Sequence, residues 1–304
     1  MRFMLEYPVA HSSYSEEFLD PDVMSALAVS AECAGFAAIG FTDHPAPSEK
    51  WMRAGGHDSL DPFSALAFCA AVTTRLRLMT FLLVAPYRNP LLTAKCAATL
   101  DVLSKGRLVL ALGAGYLRSE FAALGVDFSE RNELLDEAVA AMAGIWSNDA
   151  FHYAGKHFTA IAQTARPRPV QQPVPVWFGG NSVRARKRVA RVGQGWAPLM
   201  NDPTAAKTNR TAVLDTPRKL AVAVEQLRDF LVAEGRDPAG VDVAVETPHA
   251  GTWAFETSLE RHRDHLGELR AVGVTSFVVK VPGDDARRAI DELNRYGSDV
   301  IAAT

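Results

Sequence analysis

"RLVLALGAGYLRSEF", residues 107–121, is the stretch that decides the fold. Leu108 to Leu112 are apolar without alternation, as in a strand covered on both faces. The run stops at Gly113-Ala114-Gly115, and a short helix is expected from Ser119 to Leu124. A dinucleotide fold would place its phosphate loop at such a turn, but its fingerprint needs a third glycine three residues after the second. Arg118 stands there instead. An open doubly wound sheet is therefore the weaker reading, and a closed barrel the stronger.

The same strand-then-helix unit repeats in both directions. Strands are expected at "RFMLEY" (2–7), "AAIGFT" (37–42), "LRLMTFLLVA" (76–85), "VPVWFGG" (174–180), "GWAPLM" (195–200), "VDVAVET" (241–247) and "SFVVKVP" (276–282). The helices between them begin with cap-and-proline signals such as Asp61-Pro62 and Asn89-Pro90. With the central strand this makes eight units, the number a (β/α)8 TIM barrel requires. "FHYAGKHFTA" (151–160) reads as a small hairpin excursion with its turn at Ala154-Gly155, and 201–217 is a polar stretch without periodicity. No Gly/Ser linker divides the chain, so one domain over residues 1–304 is expected.

Composition narrows the function. The 304 residues are 48% hydrophobic and 22% charged with a formal net charge of -3, which disfavours nucleic acid and anionic membranes as partners. No apolar run reaches the roughly 18 residues of a membrane span, and the N-terminus has no signal-peptide pattern. Cys33, Cys69 and Cys96 lack CxxC spacing and read as reduced core thiols of a cytoplasmic protein.

Barrel chemistry belongs at the C-terminal strand ends. These are Glu6-Tyr7, Asp43-His44, Pro86 to Asn89, Gly113 to Tyr116, Gly179 to Ser182, Met200-Asn201, Glu246 to His249 and Lys280 to Gly283. In "IGFTDHP" (39–45) a buried strand delivers an acid and an imidazole side by side. In "FGGNS" (178–182) two glycines precede a helix N-terminus, where free N–H groups and the helix dipole favour an anion such as phosphate. Asn181 and Ser182 add side-chain donors there; close packing of strand on helix would also account for the glycines. Most of the basic run Arg184, Arg186, Lys187 and Arg188 is expected on a solvated helix face. Arg88 would pair with an acid at the rim or reach a ligand. Trp51 is a possible substrate wall, and His57 is expected as an exposed loop residue. No HExxH, CxxC or Gly-x-Ser-x-Gly pattern occurs, and His152 and His157 need not converge, so a metal or nucleophilic hydrolase lacks its parts.

"GFAAIGFTDHP", "APYRNPLLTAKCAATLDVLSKGRLVLALGAGYLRSEFAALGVDFSER" and "PVPVWFGGNSVRARKRVARVGQGWAPL" together resemble the bacterial luciferase-like monooxygenase superfamily, and within it the deazaflavin (coenzyme F420) branch. The resemblance runs in order over most of the chain, from about residue 1 to about 282. It implies a TIM barrel with an excursion, a homodimer, and a deazaflavin or FMN in the barrel mouth. Carried over position by position, Asp43 and His44 would contact cofactor and substrate. Gly113, Ala114, Gly115 and Tyr116 would hold the ring and ribityl chain, and Gly179, Gly180, Asn181 and Ser182 the phosphate. The family's third strand often carries a non-proline cis peptide behind the ring, which falls on Thr80, Phe81 and Leu82. Family members tend to have a small residue where Phe81 stands. Some have a glutamate acid at the position of Tyr116, which this chain lacks.

The reaction so implied is hydride transfer between F420 and a small organic substrate, with His44 moving the accompanying proton. An FMN-dependent monooxygenase is the alternative within the family, and a cofactor-binding protein without turnover is a further one.

Overall fold

The computed structural model describes residues 1–251 and 258–303. Strands β1 (Arg2–Glu6), β2 (Ala38–Phe41), β3 (Arg77–Thr80), β4 (Leu83–Val84) and β5 (Leu108–Gly113) form one half of a barrel. A two-stranded antiparallel excursion follows, β6 (Phe151–Ala154) with β7 (Thr159–Gln163). Then β8 (Val176–Gly179), β9 (Gly195–Ala197), β10 (Asp242–Val245) and β11 (Ser276–Lys280) complete the sheet. The order is β3-β2-β1-β11-β10-β9-β8-β5-β4, and β3 also pairs with β5, so the parallel sheet closes on itself. Because β3 and β4 are two halves of the third strand, the closed barrel has the eight strands of a TIM barrel.

The outer helices are α1 (Pro21–Cys33), α3 (Pro62–Val72), α4 (Pro90–Leu103), α6 (Arg131–Ser147), α7 (Val183–Val192), α9 (Pro217–Ala233), α10 (Leu259–Ala271) and α11 (Ala286–Tyr296). Their starts follow one device. Asp20, Asp61, Asn89 and Thr216 each accept a first-turn N–H, and a proline follows whose missing donor costs nothing there. Alternation along the strands divides the core. Phe3, Leu5, Ile39, Leu78, Leu110 and Phe178 face the helices. Met4, Ala38, Met79, Ala111, Trp177 and Ala244 fill the barrel. Trp177 fits inside because its register partner is Gly195, whose absent Cβ would lie 2.3 Å from the indole.

Several sequence expectations change. The third strand, expected unbroken over 76–85, is interrupted at Phe81-Leu82, where the peptide is cis as the resemblance implied. The loop after β2 contains a short helix, α2 (Glu49–Arg53), capped by Ser48. The stretch after β9 is not featureless, since Asp202-Pro203 starts α8 (Pro203–Thr208). Another short helix, α5 (Arg118–Ala123), follows β5. The hairpin turn begins at Gly155 and runs on to 158, longer than expected, because β7 begins only at Thr159. Of the cysteines only Cys69 is in the core; Cys33 and Cys96 are exposed. Among the described residues no helix is long and apolar enough to cross a membrane.

Candidate active site

β2 ends at Phe41, and beyond it Asp43 and His44 part company. Asp43 is 3% exposed, and its carboxylate is spent on the scaffold. Oδ2 accepts the Val84 N–H at 2.9 Å and Arg88 Nη1 at 2.5 Å, while Oδ1 accepts Arg88 Nη2 at 2.9 Å. Burial works against the Arg88 charge, but Asp43 and then Asp61 hold its pKa above the ordinary value. This resolves the two readings of Arg88 in favour of the acid. It also makes Asp43 a strut between β2 and the broken third strand.

His44 points into the mouth. Its backbone N–H donates to Ser59 Oγ (2.8 Å), and Ser59 donates back to its carbonyl (3.2 Å). On the ring, Nδ1 lies 2.9 Å from Oε2 of Glu120, a fully buried residue of α5. Glu120 also accepts the Ala46 N–H (3.1 Å) and the Tyr87 hydroxyl (3.0 Å). A carboxylate surrounded by donors takes the Nδ1 proton as a third hydrogen bond, which leaves the lone pair on Nε2. Nε2 sits 3.4 Å from the Tyr116 hydroxyl, which donates to it. Burial, and after it the negative charge of Glu120, raises the pKa of both tyrosines.

The loop after β2 covers this imidazole. Trp51 lies over it with ring centroids 4.7 Å apart, and His57 meets it edge-on at 5.1 Å. His57 is therefore not an exposed loop residue. Its Nδ1 donates to the Asp58 carbonyl (2.8 Å), and burial lowers its pKa to about 4, with the His44 charge adding to the effect. It stays neutral beside His44 at ordinary pH.

The barrel mouth has two unlike sides. On one, Phe81, Leu82, Gly113, Ala114, Gly115, Tyr116, Gly179 and Gly180 are all partly exposed, although the strands below them are buried. Leu82 fills the place of a Gly179 side chain, since a Cβ there would lie 2.0 Å from its methyl. Gly115 (φ 79°) and Gly180 (φ 98°) are left-handed, which only glycine adopts without strain. The result is an apolar, backbone-lined strip that a flat ring fits. At its end Ser182 caps α7 by accepting the Ala185 N–H (3.1 Å), and the first helical N–H groups of Val183 and Arg184 have no intrahelical acceptor.

Two expected contacts do not reach this strip. Thr80 is fully buried, with its hydroxyl donated to the Ala111 carbonyl (2.7 Å). Asn181 is 2% exposed, and its amide is occupied by the carbonyls of Leu199 (2.7 Å) and Ala212 (2.8 Å) and the Leu199 N–H (3.0 Å). It shapes the turn and is no free donor. The basic run is less solvated than expected. Arg186 is buried and donates to the Asn181 carbonyl (2.8 Å), and Arg188 is buried against Asp136 (2.6 Å).

The other side of the mouth is charged. Glu6, Lys280 and Glu246 end three adjacent strands on the inward parity of Met4, Val278 and Ala244. Lys280 Nζ lies 2.9 Å from Glu6 Oε2 and 2.5 Å from Glu246 Oε1. Burial opposes the ammonium charge, yet Glu246 and Glu6 keep its pKa above the ordinary range. Burial, together with the Glu6 charge, raises the pKa of Glu246 despite the lysine.

Residues 1–269 match the family model described as luciferase-like monooxygenase. The chain belongs to the luciferase-like monooxygenase family. Members of this family are oxidoreductases. An uncharacterised Mycobacterium tuberculosis protein is 30% identical over 255 residues, covering 83% of this chain and 79% of the relative. An F420-dependent glucose-6-phosphate dehydrogenase of Segniliparus rotundus is 29% identical over 250 residues, covering 80% of this chain and 68% of the relative. The solved coenzyme F420 dependent tetrahydromethanopterin reductase of Methanopyrus kandleri superposes with a TM-score of 0.74 at 18% identity, covering 99% of each chain, which shows the shared fold.

In this family member, sequence reasoning missed Glu120, Tyr87 and the ring contact of His57. Glu120 sits in the first turn of a short helix, where an acid is usually explained by the helix dipole. Nothing local announced its burial. The charged triad did carry a signal, because Glu6, Glu246 and Lys280 all fall on inward positions once strand parity is known.

Proposed function

We propose that this chain transfers a hydride between coenzyme F420 and a small organic substrate, with His44 handling the proton. The observation that carries the reading is the His44–Glu120 pair, 2.9 Å apart, at the edge of the glycine-lined strip. When bound, a deazaflavin supplies a two-electron hydride donor or acceptor and has no stable use for molecular oxygen. Phe81, Leu82 and the Gly113–Tyr116 backbone would hold its ring, and the N-terminus of α7 at Gly179–Ser182 its phosphate. Support for F420 comes from the named relative, which covers most of this chain.

Hydride transfer to a carbonyl leaves an oxyanion that needs a proton, and the reverse reaction needs a base for the alcohol. Nε2 of His44 serves either direction, because Glu120 accepts from Nδ1 and so fixes the tautomer and the ring orientation. Trp51 and His57 exclude water from it without adding a second charge. Position 116 carries a tyrosine, so His44 has this role without a carboxylic acid at that position.

Fluorescence titration with F420 and with FMN tests the cofactor, with F420 expected to bind in the micromolar range or tighter. Saturable FMN binding with no F420 binding overturns the reading. With a turned-over substrate in hand, unchanged turnover in His44→Ala removes the proton role.

A further inference from the structure

Three arginines converge on one phenyl ring beside the phosphate end of the site. The guanidinium carbons of Arg118, Arg131 and Arg210 lie 4.7, 4.0 and 5.5 Å from the centroid of Phe128. They come from three separate elements: the first residue of α5, the first residue of α6, and the turn after α8. Arg118 and Arg210 are exposed, and Arg131 is half-buried.

None of the three makes an ion pair among the described residues, unlike Arg184, Arg188 and Arg191 of α7. The acids nearby are already used. Glu133 is taken by Arg184 (3.0 Å), Glu130 accepts from Lys156 and sits 2.9 Å from His157, and Asp127 caps Ser129 (2.8 Å). Arg131 donates only to the Phe128 carbonyl (2.9 Å). Burial and then the charges of Arg118 and Arg210 lower its pKa, which is the mark of cations crowding one another. Two of the three also open helices, where the dipole favours acids. Folding alone gives no reason for this arrangement. Stacking on Phe128 holds the guanidinium groups near one another while leaving their N–H forks free.

The cluster adjoins the Gly179–Ser182 turn. Thr211, next to Arg210, accepts the Asn181 N–H (3.1 Å), and Arg184 in the first turn of α7 pairs with Glu133 in the first turn of α6. Arg118 follows Tyr116 by two residues. The cluster and the turn are thus joined directly through the Arg210-Thr211 segment.

We propose that Arg118, Arg131 and Arg210 form a subsite for the carboxylate-bearing tail of the cofactor, beyond the phosphate held at the start of α7. The proposal rests on the F420 reading of the site. F420 continues from its phosphate through a lactyl unit into a chain of linked glutamates, whereas FMN ends at the phosphate. Guanidinium forks match carboxylates in geometry as well as charge. Exposed pairs are individually weak, so three of them are expected to contribute roughly tenfold in affinity.

The test is a fluorescence titration of the full chain with F420 bearing its glutamate tail and with the tail-less form ending at lactate. Tail-bearing F420 is expected to bind about tenfold more tightly than the tail-less form, and about 0.5 M salt should erase most of the difference. The triple variant Arg118→Gln, Arg131→Gln, Arg210→Gln should lose the difference while keeping its affinity for the tail-less form. The single variant Arg210→Gln, at an exposed position, should lose part of it with an unchanged melting curve. Equal binding of both forms by the unmodified chain, or a full tail preference in both variants, overturns the subsite alone. Binding of FMN with neither deazaflavin overturns the F420 reading and the subsite with it.

Discussion

Replacing Asp43 with asparagine separates a scaffold role from a ligand role for the residue that sequence alone assigns to the cofactor. The carboxylate is 3% exposed and accepts from Val84 N and from both terminal nitrogens of Arg88. Asparagine keeps one acceptor and turns an NH2 group toward a guanidinium, donor against donor. Removing one member of a fully buried pair costs about 3–5 kcal/mol. Arg88 is 23% exposed at its side chain and keeps Asp61 at 3.3 Å, which softens the loss. A cost of about 2 kcal/mol is expected, or about 5 °C in melting temperature for a chain of this size. The assay is thermal melting of Asp43→Asn, Arg88→Met and the double variant. The double variant should cost clearly less than the two singles summed, with a coupling of about 1–2 kcal/mol. A single variant that melts within about 1 °C of the parent yet binds F420 more than about tenfold more weakly would refute the strut and restore Asp43 as a ligand contact.

Two further perturbations address the rest of the site. Glu120→Gln should lower turnover by about 100-fold or more, because the amide keeps one acceptor but removes the negative charge facing Nδ1 of His44, whereas Tyr87→Phe removes one of three donors to the same carboxylate and should stay within a few-fold. Equal losses in the two variants would mean that Glu120 only fills space. Lys280→Met leaves Glu6 and Glu246 facing each other, at a cost of about 3 kcal/mol at pH 8. Glu246 already has a raised pKa in the folded chain, chiefly through burial, so protonation costs less there than in the unfolded chain. Stability tied to that proton is present at low pH and lost as pH rises through the folded pKa. The gap in melting temperature between parent and variant should therefore narrow from pH 8 to pH 5, and a gap that widened would count against the triad.

The barrel was legible because its signals are local and repeated. Each unit carries an apolar strand without alternation, then a capped helix start, and counting the units gave the closure that Arg118 in place of a third glycine supports. The breaks in this regularity were not legible. α8 begins at Asp202-Pro203, the same cap-and-proline signal that opens α3, but it is six residues long and too short to show a helical period. At the mouth, the glycines were readable as turns after strands, and Gly115 and Gly180 do take positive φ. Side-chain partners were not. Glu120 meets His44 across 76 residues of sequence, and Asn181 looks like a donor until the loop carrying Leu199 and Ala212 folds over it.

The pair Asp43-His44 shows why adjacent polar residues at a strand end need not share a task. Once β2 has ended, Asp43 turns back to fix Val84 and Arg88, and His44 turns out into the mouth. The imidazole is held at Nδ1 by the buried Glu120, and the His44 backbone is held by Ser59. Its cover is attached differently. α2 contains no buried residue, and the loop rests on the ring contacts of Trp51 and His57 and on the Tyr14–Asp58 hydrogen bond of 2.9 Å. Few buried contacts mean a low local opening energy. The group that needs a fixed position thus has one, and the helix over it parts for a substrate without unpacking a buried residue.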